Sequence, residues 1–129
     1  MTDPTPALHS YKELDVWRKG VDLVVRVYEI TALLPKEERY GLSSQMQRAA
    51  VSIPVNIAEG RRRGSRKDYA HFITIAYGSG GELETLFTIL NRLPFGSGLN
   101  TKTTEQLLDD VMRMLNRLRH SLSQPPKPK

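Results

Sequence analysis

Residues 48–67 read RAAVSIPVNIAEGRRRGSRK, and the fold is decided by how this stretch is read. With Leu42 and Met46 upstream, Ala49, Ile53 and Ile57 recur at three- and four-residue steps, the period of an amphipathic helix, predicted from about Leu42 to Arg62. Pro54 falls in its interior, where it removes one backbone hydrogen bond and crowds the carbonyl of Ala50, so a kink near residues 50 to 54 is expected. Gly64 breaks the pattern. Ser65, with Asp68 three residues on, then has the spacing of a capping box that opens another helix.

The same stretch carries the charge imbalance of the chain. Six cations (Arg48, Arg61, Arg62, Arg63, Arg66 and Lys67) stand against Glu59 alone, whereas the residues on either side are nearly neutral and the whole chain is +5. A concentrated positive patch attracts polyanions and favours phosphate contacts through counterion release. A structural role is compatible with this, because cations at a helix C-terminus are each worth about 0.3–1 kcal/mol against the helix dipole.

Working outward, two apolar stripes at helical spacing cover Tyr11 to Leu34. Leu14, Trp17, Val21, Val24 and Tyr28 form one, and Val16, Leu23, Val27, Ile30 and Leu34 the other. A single stripe packs a helix into its own bundle, so the second is expected to be a subunit interface, through Val16, Leu23, Val27 and Ile30, or else the flank of a wide core face. Pro35 ends that helix. After Ser65, the positions Tyr69, Phe72, Ala76, Leu83, Leu86, Leu90 and Leu93 keep a heptad register, interrupted at Ser79, and Gly78, Gly80 and Gly81 weaken the helix while letting a neighbour come close. Pro94 to Gly98 is a loop. Thr103 and Gln106 are expected to cap a last helix reaching Leu122, with Leu108, Val111, Leu115 and Leu118 inward. Four helices with short connections predict an all-α, antiparallel up-down four-helix bundle over residues 11–122. Residues 1–10 and the Pro- and Lys-rich 123–129 are expected to be solvated tails.

Arg48, Ser52, Asn56, Glu59 and Arg63 share one polar stripe of the second helix. Ser52 and Asn56 suit backbone groups disturbed by Pro54, and Glu59 suits Arg63 or Arg48, although contact with a partner would use the same stripe. Gly78-Ser79-Gly80-Gly81 lacks the ending of a phosphate loop and follows a helical pattern. His9, His71 and His120 lie on separate segments, Asp68-x-x-His71 is a lone and imperfect carboxylate–histidine pair, and cysteine is absent; the expectation is no metal, no cofactor and no thiol chemistry. Glu82 and Glu84 are two apart and point to different faces, so no acid–base dyad is legible and the expectation is a protein that is not an enzyme. No apolar run approaches the length of a membrane span and the first residues do not read as a signal peptide, which leaves the cytoplasm as the expected location.

From Ser52-Ile53-Pro54-Val55-Asn56-Ile57-Ala58-Glu59-Gly60, through Tyr69, Phe72, Ala76 and Gly78-Ser79, to Glu82-Leu83-Glu84-Thr85, the sequence resembles the bacterial four-helix-bundle family of 23S rRNA intervening-sequence proteins. Related bundles include the accessory variability determinant of diversity-generating retroelements. The resemblance runs from about Tyr11 to Leu122 and departs at Gly80-Gly81, where larger residues are usual. It implies a ring-shaped homopentamer in which the local charge repeats around one axis. The expected function is association with structured RNA through Arg61, Arg62, Arg63, Arg66 and Lys67. The alternative is a scaffold whose basic collar binds an acidic protein surface. No small-molecule substrate is expected.

Overall fold

The computed structural model describes residues 11–125; the expected tail at 1–10 and residues 126–129 of the one expected at 123–129 lie outside the described residues, and Ser123 is the last residue of the final helix. Four α-helices carry the fold: α1 (Asp15–Thr31), α2 (Leu42–Arg63), α3 (Arg66–Arg92) and α4 (Lys102–Ser123). Short 3-10 turns at Tyr11–Glu13 and Lys36–Glu38 precede α1 and α2. The main contacts run α1 to α2, α2 to α3, α3 to α4 and α4 back to α1, which closes a four-helix bundle.

The helix ends show why the chain divides there. Glu38 accepts a hydrogen bond from the Leu42 amide at 3.2 Å and so caps α2 from the preceding turn. At its other end α2 stops at Gly64, with φ +88°, a left-handed conformation that glycine adopts without a Cβ clash. Ser65 then caps α3, its hydroxyl oxygen accepting from the Asp68 amide at 3.1 Å, at the spacing expected from the sequence. The expected cap of α4 is displaced. Thr101, not Thr103, precedes the helix, and its buried hydroxyl donates to the Glu105 carboxylate at 2.6 Å while the Asn91 amide donates to the same oxygen at 3.0 Å. This network ties the end of α3 to the start of α4, whereas Thr103 is exposed.

The core corrects the reading of α1. Val16, Leu23, Val27 and Ile30, expected at a subunit interface, are buried inside their own bundle. The other stripe is the outward one: Leu14, Trp17 and Val24 are only partly buried, and Val21 and Tyr28 are exposed. Both stripes have the same period, so spacing does not say which one meets α2. On the buried stripe Gly20 faces Pro54 and Ile53 of α2. On α3 the seam also differs in detail. Ile73 and Phe87 are fully buried, while Phe72 is only partly covered.

Helix α2 runs unbroken through Pro54. Ser52 and Asn56 do different work from that expected. Asn56 donates to the Ser52 carbonyl at 2.8 Å and to its hydroxyl at 2.9 Å, so neither side chain covers the Ala50 carbonyl that Pro54 deprives of its donor. The Ser52 hydroxyl instead lies 2.7 Å from that of Ser79 on α3. Ser79, which interrupts the heptad, is thus a polar tie between helices. Of the neighbouring glycines only Gly80 is buried, facing Met112 of α4; Gly78 and Gly81 have open space where a side chain would sit.

Candidate functional site

The turn from α2 to α3 brings Arg61, Arg62, Arg63, Arg66 and Lys67 to one end of the bundle. Two acids share this corner. Glu59 pairs with Arg63 one turn on, at 2.7 Å, as its place on the polar stripe predicted, and Asp68 is exposed in the first turn of α3. Arg62, Arg66 and Lys67 form no ion pair among the described residues, so the positive excess is retained at the surface.

The five cations are not equivalent. Arg61 and Arg63 lie against aromatic rings of α3, with guanidinium carbons 5.6 Å from the Tyr69 ring centre and 4.9 Å from that of Phe72. Such contacts hold α2 to α3 as well as placing charge. Arg66 reaches across to α4, its Nη2 donating to the carbonyls of Ser121 at 2.6 Å and Gln124 at 3.0 Å. A cation there also opposes the negative end of the α4 dipole. Arg62 and Lys67 are exposed with no hydrogen bond among the described residues, which makes them the most accessible charges at the corner.

The Arg66 contact brings in residues that a linear reading does not join to the basic run. The end of α4 carries His120, exposed, and Arg119, whose guanidinium carbon lies 4.3 Å from the Tyr77 ring centre. Tyr69 matters too. The heptad marks it as core, and it is buried, yet it also lines a 260 Å³ pocket with Arg61, Gly64, Ser65, Arg66 and Leu122. Burial raises the pKa of its hydroxyl, with the Arg61 charge working in the opposite direction. The signal that could have linked Tyr69 to the site was its distance of three residues from Arg66, on one face of α3.

The rest of the polar stripe lies apart from this corner. Arg48 and Ser52, with Gln45, Ser79 and Glu82, line a groove between α2 and α3, and with Tyr28, Val51, Val55 and Asn56 a second groove between α1 and α2. Among the described residues no group of three or more His, Asp or Glu side chains is placed to hold a metal ion. None of the helices among the described residues is long and apolar enough to cross a membrane.

An all-helical bundle with a basic corner at the α2–α3 junction defines the class of protein. The model of the 23S rRNA-intervening sequence protein family matches residues 12–117, and the chain belongs to that family. It is also similar to the crystal structure of a protein of unknown function from the S23 ribosomal protein family of Bacteroides thetaiotaomicron. That similarity has a TM-score of 0.68 at 24% identity, over 84% of this chain and 99% of the other, and it shows the shared fold. No curated protein matches.

Proposed function

We propose that this protein is a non-enzymatic, cytoplasmic homo-oligomer that associates with structured RNA through the corner built by Arg61, Arg62, Arg63, Arg66 and Lys67. The observation that carries the reading is the collection of five cations at one end of the bundle, with Arg62, Arg66 and Lys67 free of carboxylate partners among the described residues. The family takes its name from the 23S rRNA, in keeping with an RNA partner. Self-association is supported by an apolar strip on the outside of α1 and α2, where Val21, Val25, Tyr28 and Val55 are 36%, 53%, 46% and 56% exposed. The family resemblance favours five subunits, which would repeat the basic corner around a ring.

The decisive experiment replaces Arg62 and Lys67 with Ala, because neither holds the fold together. Expected is wild-type melting with RNA binding that is weaker and less dependent on salt, the slope falling by about one for each phosphate that is no longer neutralised. RNA affinity and salt slope equal to wild type would reject the assignment. An acidic protein surface binding the same corner in place of RNA would do so as well.

A further inference from the structure

We propose that the cleft beside the α1–α2 turn holds one unpaired nucleotide of a single-stranded RNA segment, its base stacked on tyrosine and its phosphate at the rim; this rests on the proposed reading of RNA as the partner. The cleft has a volume of 690 Å³, within the range of small-molecule sites. It lies at the end of the bundle away from the basic corner, near the start of α2, whose 22 residues span about 33 Å. Two aromatic rings line it. Tyr40 is 88% exposed and Tyr28 46%, so their faces are not used up inside their own chain, and every base has a flat face that stacks on such a ring. The Arg39 guanidinium carbon lies 5.6 Å from the Tyr40 ring centre, which brings a positive charge to the same platform.

The wall supplied by α2 offers the polar contacts that a base edge requires. Ser43 lines the cleft while only 7% exposed, and its hydroxyl has no hydrogen-bond partner among the described residues. A buried hydroxyl in that state calls for a partner from outside the chain. Gln47 lies one turn further along the same face of α2. Its Nε2 donates to the Thr31 hydroxyl at 3.0 Å, and that hydroxyl donates to the Tyr28 carbonyl at 3.1 Å. The Gln47 amide is thereby fixed, and its Oε1 is left to accept from a ligand. A donor at Ser43 and an acceptor at Gln47 suit the neighbouring acceptor and donor on the edge of an unpaired base, the way single-stranded RNA is read. At the rim, Lys36 and Arg39 form no ion pair among the described residues, while Glu38 is engaged by the Leu42 amide and Glu37 is not part of the wall. A groove that receives the helix of a second copy would present an apolar floor in place of these groups.

The test is a titration of the full chain with AMP, GMP, CMP and UMP in turn, and with ribose 5-phosphate as the control that lacks a base, followed by amide NMR, alongside binding of a single-stranded RNA. Wild type is compared with Tyr40→Ala, with Ser43→Ala and with the basic-corner variant carrying Arg62→Ala and Lys67→Ala. Tyr40 is exposed and Ser43 gives up no hydrogen bond from its side chain, so both variants keep the fold. Expected are saturable shifts at Thr31, Tyr40, Ser43 and Gln47 with the nucleotides and none with ribose 5-phosphate. Tyr40→Ala weakens all four nucleotides about tenfold, the loss of one stacked ring. Ser43→Ala weakens those bases that use its hydroxyl about fivefold and so changes the order of preference among the four. Both variants bind single-stranded RNA more weakly, whereas the corner variant loses RNA affinity and keeps nucleotide binding. If nucleotides move none of these amides and Tyr40→Ala binds RNA as wild type does, the cleft is overturned and the basic corner stands. A lower solution mass for Tyr40→Ala without nucleotide shifts also overturns it, by assigning the cleft to a contact between copies. If nucleotides bind in the cleft but wild type binds no RNA, the RNA assignment is overturned instead.

Discussion

Gly60 lies where α2 packs tightly on α3 beside the basic corner, and it offers a sharp test of the packing that positions Tyr69. A Cβ built on Gly60 would sit 2.8 Å from the Phe72 Cβ, 3.2 Å from the Tyr69 Cδ1 and 3.3 Å from the Tyr69 carbonyl oxygen. The first is shorter than real Cβ contacts allow, and since it involves another Cβ, no rotamer change relieves it. The helices must separate. Overpacking of this kind costs about 1–3 kcal/mol, while replacing glycine with alanine inside a helix returns about 1 kcal/mol. Because the worst contact lies next to the backbone, the cost falls in the upper part of its range, and Gly60→Ala is expected to destabilise by about 1–2 kcal/mol. For a domain of this length that lowers the melting temperature by roughly 3–10 °C. Gly78→Ala, in the interior of α3 with open space around it, should move stability the other way by about 1 kcal/mol. Chemical denaturation of both variants measures the two signs. A Gly60→Ala protein at least as stable as wild type would refute the close approach of α2 and α3, and with it the placement of Tyr69.

Further perturbations separate the elements of the site. Ser65→Ala removes the cap of α3 and should cost about 1 kcal/mol by urea titration, whereas Thr103→Ala, at an exposed position that caps nothing, should leave the midpoint where it was. Val27→Glu buries an unpaired charge in the core and should leave no folded protein by circular dichroism, while Val25→Glu, on the outer face of α1, should keep the fold and reduce the solution mass seen by light scattering if that face joins subunits. Tyr69 sets an alkaline limit. With its folded pKa raised above the unfolded value of 10.0, the stability it contributes is complete below that pH and declines as the pH rises toward the folded value. Tyr69→Phe should therefore flatten the loss of stability measured above about pH 10.

Much of the bundle was legible because helical periodicity, proline and glycine are local signals. The break at Gly64, the Ser65 cap and the spans of α2 and α3 follow from residue types within a few positions of each other. The start of α4 was misread for the converse reason: Thr101 is fixed at the head of the helix through Asn91, ten residues earlier on another helix. Glu59 with Arg63 was legible as a one-turn pair. The Ser52–Ser79 tie was not, since it spans 27 residues.

What the sequence determined alone is the number of helices, their approximate limits and the concentration of charge between Arg61 and Lys67, all of which depend on composition and on a 3.6-residue period. Only the tertiary structure decided which stripe of α1 faces inward, because two stripes of equal period differ only in what they meet across the bundle. It alone also joined Arg66 to the end of α4 and placed the Tyr69 hydroxyl beside Arg61. These arrangements depend on distances between helices, which no local pattern in the chain encodes.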